Sequence, residues 1–215
     1  MLKVEHITTG YGKKQVLTDV SFEVKQGEIV LLSGGNGSGK STVLKTIYGL
    51  LKPWTKEGKI FFEDKDITEM PTDEMIKYGI VYIPQKDFCF ESLTVEENLM
   101  ISGCTFTKKD RLNTCIKYIY EITNLDKLKK RKARNLSGGE KKILAFGMAL
   151  IHKPKLLLFD EPFAGVDEYN SSIINYLLKD KFINDKCSLV VVDHEENINQ
   201  FNDRKIQMNL GTIEK

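Results

Sequence analysis

This 215-residue chain has few cysteines and no long apolar run. Its four cysteines are scattered without a C-x-x-C pair, which fits reduced thiols and argues against a disulfide framework or a zinc site. The longest apolar stretches, such as LLLF at 156–159, are far shorter than the roughly 20 residues of a membrane-spanning helix. The first residues show no basic patch followed by an apolar run, so we expect no secretory signal and a cytoplasmic location.

An excess of charge of one sign is also missing. The net charge is only +2, whereas dedicated nucleic-acid-binding domains usually carry a larger basic excess, so we expect no specific nucleic acid partner. The rest of the composition, 41% hydrophobic and 29% charged, is that of an ordinary globular protein. The length suits one large domain or a domain with a sizeable insert.

The hydrophobic pattern changes twice along the chain. Strand-like runs alternate with helical spacing in residues 1–85 and again in 151–215, which predicts an α/β core with a mostly parallel sheet. Strand signals vanish between 86 and 150, where three helical segments follow one another. We therefore predict a core of two parts with a helical subdomain between them. A further helix is expected near 195–201.

The glycine-rich segment GGNGSGKST at 34–42 follows a buried strand and opens a helix. It satisfies the G-x-x-x-x-G-K-[ST] pattern, in which glycines bring backbone N–H groups close to phosphate oxygens at the start of a helix dipole. Lys40 is suited to the β- and γ-phosphates, Ser41 to Mg²⁺, and Thr42 to the α-phosphate. A glycine-rich turn that only caps a helix is the alternative. We predict a nucleotide site, called here the phosphate loop, built also from Gly34, Gly35, Asn36, Gly37, Ser38 and Gly39.

A pair of carboxylates follows the buried strand LLLF. Asp160 is placed to hold magnesium, directly or through water, and Glu161 to polarise a water molecule for attack on the γ-phosphate. Such a pair alone more often caps the next helix. Beside a phosphate loop, the catalytic interpretation is favoured.

A second glycine-rich turn, LSGGE at 136–140, also opens onto a helix pattern. Ser137 is a suitable N-cap, which leaves the N–H groups of Gly138 and Gly139 and the positive end of the helix dipole for an anion. An ordinary capped helix is the alternative.

Together these motifs resemble the nucleotide-binding subunit of ATP-binding cassette (ABC) transporters, over nearly the whole chain. LSGGE shortly before LLLFDEP is the most specific part of the resemblance, and PFAGVD and KILAFGMAL are most similar to cassettes of branched-chain amino-acid importers or lipopolysaccharide export. The resemblance implies an antiparallel N-terminal β portion and a helical subdomain. It also implies MgATP hydrolysis that powers transport, in a protein attached to the cytoplasmic membrane face through a separate permease.

In this family two subunits pack head to tail, and each ATP lies between the phosphate loop of one and the LSGGE turn of the other. The resemblance assigns adenine stacking to Tyr11, with Val16 beside the base, and contact with the γ-phosphate to His194. Gln85 corresponds to the glutamine that senses Mg²⁺ and the attacking water, and Asp167 to the aspartate of a loop between the two sites. The partner subunit is identical or different.

Two departures and two segments stay open at this stage. Glycine stands at 35 where proline is common, and the helix after LSGGE lacks the arginines often found there, which affects contacts between the lobes. Residues 127–135 hold six basic side chains, which fit a solvated helix end, phospholipid headgroups or nucleic acid. Residues 87–95 either line a groove for the membrane partner or pack internally.

Two other functional classes stay open. One is an ABC ATPase that does not transport, such as an iron–sulfur assembly or cell-division factor, which would share every catalytic residue. The other is a nucleic-acid-associated ABC ATPase of the repair or translation type, which the modest net charge disfavours.

Overall fold

A computed structural model of the chain describes residues 1–86, 88–104, 109–193 and 202–214. Within these residues the elements alternate as the sequence predicts. His194 and the helix expected near 195–201 lie outside the described residues.

The first sheet is antiparallel. Its strands are β1 (Leu2–Tyr11), β2 (Lys14–Val24), β4 (Lys59–Phe62) and β5 (Lys65–Asp66), in the order β2-β1-β4-β5. This confirms the antiparallel N-terminal β portion.

The second sheet is parallel except at one edge. It contains β3 (Ile29–Ser33), β6 (Ile80–Ile83), β7 (Leu156–Asp160), β8 (Ser188–Val192), β9 (Arg204–Asn209) and β10 (Thr212–Ile213), in the order β10-β9-β3-β8-β7-β6. Strand β10 pairs antiparallel with β9 and was not predicted, because its two residues give no periodic signal. The carboxyl ends of β3 and β7, where the two main motifs begin, lie at the same sheet edge.

The central strands β3, β7 and β8 of the second sheet are buried on both faces. Successive side chains of a strand point to opposite sides, so Leu157 and Phe159 of β7 face one hydrophobic core while Leu156 and Leu158 face the other. The core on the second side is shared with the antiparallel sheet and the helix α1 (Lys40–Ile47). This explains why the strands read as continuous apolar runs rather than alternating ones.

The other core is covered by helices. These are α3 (Val95–Ser102), α4 (Lys109–Thr123), α5 (Gly138–Ile151) and α6 (Glu168–Asp185), with a short α2 (Thr72–Met75) elsewhere. Helices α3, α4 and α5 coincide with the predicted helical segments between 86 and 150. Phe146 of α5 stacks on Phe159 of β7 with ring centroids 6.2 Å apart, so this helix is packed directly on the sheet. None of the helices in the described ranges is both long and apolar enough to span a membrane.

Candidate functional site

The phosphate loop joins β3 to α1 in a conformation that requires glycine. Gly34, Gly37 and Gly39 have φ angles of 143°, 79° and 102°, which L-residues rarely adopt. A Cβ on Gly34 would lie 2.2 Å from the carbonyl oxygen of Met208, whereas one on Gly35 would meet nothing within 4 Å. The loop is therefore closed against β9 on one side and open at Gly35.

The β9–β10 hairpin supports this loop from below. The Gly211 N–H donates to Ser38 O at 3.0 Å, and Gly211 O accepts from Thr18 N at 2.9 Å. The hairpin thus joins the phosphate loop to β2 of the antiparallel sheet. The loop is held by backbone contacts from both sheets.

Three polar side chains of the loop, those of Ser38, Lys40 and Thr42, are buried. Lys40 is only 8% exposed, and its Nζ donates to Gly34 O at 2.7 Å and to Gly35 O at 3.0 Å, so the ammonium lies across the loop. Ser38 Oγ is buried and has no hydrogen-bond partner among the described residues. Buried polar atoms are nearly always paired, so an unpaired hydroxyl at this place indicates a missing partner. An oxygen of a ligand bound in the loop could accept this hydrogen bond.

The two main motifs meet at Ser41 and Asp160. Ser41 Oγ donates to Asp160 Oδ1 at 2.9 Å, and the hydroxyl of Tyr82 donates to Asp160 Oδ2 at 3.3 Å. Burial raises the pKa of the Asp160 carboxyl, and the two hydroxyl donors oppose that shift. Burial and the nearby carboxylate raise the pKa of Tyr82, which keeps its hydroxyl protonated as a donor.

Glu161 lies one residue beyond the strand, with a φ of 51°. Its N–H donates to Val192 O at 2.7 Å, which ties the turn to β8. The side-chain amide of Gln85 donates to Glu161 Oε2. The glutamine and the candidate water-polarising carboxylate are therefore in direct contact.

The LSGGE turn begins α5 with a reciprocal cap. Ser137 Oγ accepts from the Glu140 N–H at 3.2 Å, and the Glu140 carboxylate accepts from the Ser137 N–H at 2.7 Å. A Cβ on Gly139 would lie 2.6 Å from Asn170 Cβ, so the turn packs closely on the start of α6. Asp167 caps α6 by accepting from the Asn170 N–H at 3.0 Å, and this bond holds the pKa of the Asp167 carboxyl below its usual range.

Tyr11 and Val16 lie on the hairpin β1–β2, beside α1. Tyr11 is 45% exposed, with the Lys45 ammonium of α1 5.7 Å from its ring centroid. Val16 is half-buried against the core shared by the two sheets. An exposed aromatic ring next to the phosphate loop helix leaves room for stacking by a base.

The predicted residues thus fall into two groups. Lys40, Ser41, Asp160, Glu161 and Gln85 converge at the carboxyl ends of the parallel strands. The two glycines of the LSGGE turn lie instead against Gly165 and Asn170.

Sequence reasoning missed two polar residues of the site, Tyr82 and Lys142. Tyr82 carries the one hydroxyl in the apolar strand IVYI, a signal that was available. Lys142 Nζ donates to Gln85 O at 3.2 Å and to Glu161 O at 2.9 Å, although nothing local in the sequence marks it.

Comparison with known proteins decides the family. The family model described as ABC transporter matches residues 17–164. The chain belongs to the ABC transporter family. That family assignment and the α/β cassette fold confirm the resemblance seen in the sequence.

Curated relatives include transporter subunits of two kinds. The high-affinity branched-chain amino acid transport ATP-binding protein BraG of Pseudomonas aeruginosa is 43% identical over 77% of this chain and 70% of its own length. The probable branched-chain amino acid transport ATP-binding protein LivF of Archaeoglobus fulgidus is 37% identical over 92% and 82%. The lipopolysaccharide export system ATP-binding protein LptB of Haemophilus influenzae is 34% identical over 90% and 80%.

Solved structures agree. The ADP conformation of an ATP-binding cassette of an ABC transporter superposes with a TM-score of 0.86 at 33% identity, covering 100% of this chain and 89% of the other. A dimeric cassette in a post-hydrolysis state, bound to ADP and Pi, gives 0.87 at 28% identity, covering 100% and 97%. The ABC cassette described here is thus an ATP-binding and ATP-hydrolysing subunit of an ABC transporter.

Proposed function

We propose that this cassette hydrolyses MgATP between two head-to-tail subunits, and that closure of the pair on ATP drives a separate permease. The contact of Ser41 with Asp160 at one end of the phosphate loop, and of Gln85 with Glu161 beside it, supports this most directly. A loop for phosphate, a carboxylate for a metal ion and a carboxylate for water are the parts that phosphoryl transfer to water needs.

A magnesium ion fits the donor set at the end of the loop. Ser41 Oγ and the Asp160 carboxylate are hard oxygen ligands 2.9 Å apart, which suits Mg²⁺. Gln85, whose amide nitrogen bonds the neighbouring Glu161, is proposed to add its amide oxygen. When bound, the ion neutralises charge on the β- and γ-phosphates. Tyr82 orients the Asp160 carboxylate by donating to its second oxygen.

Hydrolysis is assigned to the residues around Glu161. Its carboxylate accepts a proton from the attacking water, and Gln85 holds that carboxylate in place through its side-chain amide. Lys40 exchanges its bonds with Gly34 O and Gly35 O for phosphate oxygens. Tyr11 stacks on adenine with Val16 beside it, and His194 contacts the γ-phosphate.

The LSGGE turn is proposed to complete the ATP site of a second subunit. Its capped helix presents the N–H groups of Gly138 and Gly139, a fitting end for a γ-phosphate. The dimeric structure of a relative with a TM-score of 0.87 supports such a pair. Sedimentation of the Glu161→Gln variant with MgATP tests whether two identical copies of this chain form the pair.

Three further assignments belong to this proposal. Residues 86–150 form a helical subdomain between core parts 1–85 and 151–215. The subunit attaches peripherally to the cytoplasmic membrane face through its permease. Branched-chain amino acids are the proposed cargo, because relatives of 43% and 37% identity carry that description.

The test compares the wild type with Glu161→Gln. We expect the variant to bind MgATP normally but to hydrolyse it about 10²–10⁴-fold more slowly, since a general base contributes that much to the rate. Trapped ATP should then hold the variant as a dimer in sedimentation experiments, and a matched Ser137→Ala, Glu161→Gln double variant should dimerise more weakly. Turnover near the wild-type rate would overturn the role of Glu161, and a strictly monomeric MgATP-saturated variant would overturn a dimer of two identical subunits.

A further inference from the structure

The side chain of Lys142 joins three parts of the cassette. It lies on α5, two residues beyond the LSGGE motif, and is only 4% exposed. Its Nζ donates to Glu161 O at 2.9 Å and to Gln85 O at 3.2 Å. The ring centroid of Phe88, just after Gln85, lies 4.9 Å from the same nitrogen.

Stability alone does not explain a buried ammonium at this place. Burial lowers the pKa of Lys142, and the nearby Asp160, Glu161 and Asp193 carboxylates oppose this shift without forming an ion pair with it in the described ranges. A buried charge satisfied only by carbonyls and a ring costs free energy that an apolar side chain would not. We therefore attribute to the ammonium a role in holding the backbone in place, through two charge-assisted hydrogen bonds to the carbonyl oxygens of Gln85 and Glu161.

The helix that carries Lys142 is fixed to the core along the same face. Phe146 lies four residues further on, which is one helical turn, and stacks on Phe159 of β7. Lys142 extends that line of contact toward the motif that precedes it. A shift or rotation of α5 therefore displaces the backbone at Gln85 and Glu161 together.

We propose that Lys142 is a positioning residue that couples the LSGGE helix to the Gln85–Glu161 pair, so that the pair reaches its hydrolytic geometry only when α5 is correctly placed. This inference rests on the proposed role of Glu161. In this proposal Lys142 touches neither ATP nor the attacking water. It fixes the backbone carbonyls of Gln85 and Glu161, and the side chains of these two residues contact each other.

The test is Lys142→Met, which keeps the length and apolar stem but removes the charge and the donors. We expect kcat for ATP hydrolysis to fall about 10–100-fold, since a misplacement of about 1 Å costs about that much, while KM and ADP affinity change less than about twofold. Lys142→Arg, which retains charged donors, should keep more of the activity than Lys142→Met. Lys141→Met is the matched control, because among the described residues its ammonium pairs with the exposed Glu91 at 2.6 Å.

Coupling to Gln85 separates positioning from general support of the fold. In a double variant with Gln85→Ala, the loss from Lys142→Met should be much smaller than in the wild-type background, because both changes release the same carboxylate. Losses that multiply, or a Lys142→Met variant with wild-type kcat beside an inactive Glu161→Gln, would overturn this inference alone. An active Glu161→Gln would overturn the proposed function instead. Should Lys142→Met fail to fold, Lys142→Arg with and without Gln85→Ala decides by the same rule.

Discussion

Ser41 donates a hydrogen bond to Asp160 at 2.9 Å, across 119 residues of sequence. The contact arises because β3 and β7 run parallel in one sheet, so that their carboxyl ends share an edge. One hydroxyl and one carboxylate are thereby brought together at the proposed magnesium site.

Ser41→Ala should weaken binding of MgATP more than binding of ATP alone. The alanine removes a proposed metal ligand but leaves the loop backbone intact, so we expect affinity to fall at least about tenfold with magnesium and less than about twofold in EDTA. Titration of the wild type and the variant under both conditions measures the difference. Equal losses with and without magnesium would contradict a metal role for Ser41.

Asp160→Asn should stabilise the nucleotide-free protein at neutral pH. Burial raises the pKa of Asp160 above its ordinary value of 3.8, so at pH values between the unfolded and the folded pKa the folded protein holds a proton that the unfolded chain has lost. The contribution of this group to the free energy of unfolding is therefore complete below pH 3.8 and declines as the pH rises through the folded pKa. At neutral pH the buried, ionised carboxylate lowers the free energy of unfolding, and asparagine removes that loss. We expect Tm to rise by a few degrees at pH 7, at about 2–4 °C per kcal/mol, and the gain to vanish at acidic pH.

Tyr82→Phe is the companion measurement. It removes a donor to the ionised carboxylate while keeping the ring, which packs on Tyr48 with centroids 5.6 Å apart. We expect the free energy of unfolding to fall by about 1 kcal/mol at neutral pH, and this loss to shrink as Asp160 becomes protonated.

The contrary outcome for Asp160→Asn is a lower Tm at pH 7. It would mean that the surroundings stabilise the ionised carboxylate more than burial destabilises it.

Gly34→Ala and Gly35→Ala should differ sharply despite their adjacency. At Gly34 a Cβ would lie 2.2 Å from Met208 O at a φ of 143°, whereas at Gly35 it would meet nothing within 4 Å. Backbone strain of this kind costs about 1–3 kcal/mol. We expect Gly34→Ala to lower Tm and weaken ATP binding at least tenfold, and Gly35→Ala to leave both near the wild type. Similar behaviour of the two variants in thermal melts and ATP titrations would contradict this loop geometry.

Much of this site could be predicted from local sequence motifs. The phosphate loop, the LLLFDEP strand and the capped LSGGE turn each combine a periodic run with a specific turn chemistry, so their elements could be predicted one by one. The contact between Ser41 and Asp160 follows from the parallel arrangement of β3 and β7, whose carboxyl ends lie at the same edge of the sheet. The antiparallel N-terminal sheet came from the family resemblance, since its strands alternate in a way that does not by itself fix their pairing.

What could not be predicted depends on how elements pack. Lys142 reaches Gln85 O and Glu161 O only because α5 presents that face to the sheet, and a lysine in a helix normally indicates a solvated surface. The tight approach of Gly139 to Asn170 likewise depends on the crossing of α5 and α6. In each case the chemical signal is an ordinary residue whose meaning comes from a neighbour far along the chain.

The bond between Gly211 and Ser38 also has a consequence for biosynthesis. During translation the residues proposed to bind phosphate leave the ribosome early, but the hairpin that contacts them is made much later. In a nascent chain stalled before β9, the carbonyl oxygen of Ser38 would lack the Gly211 N–H. The loop conformation described above is therefore held from the β9 side only once the hairpin has been made.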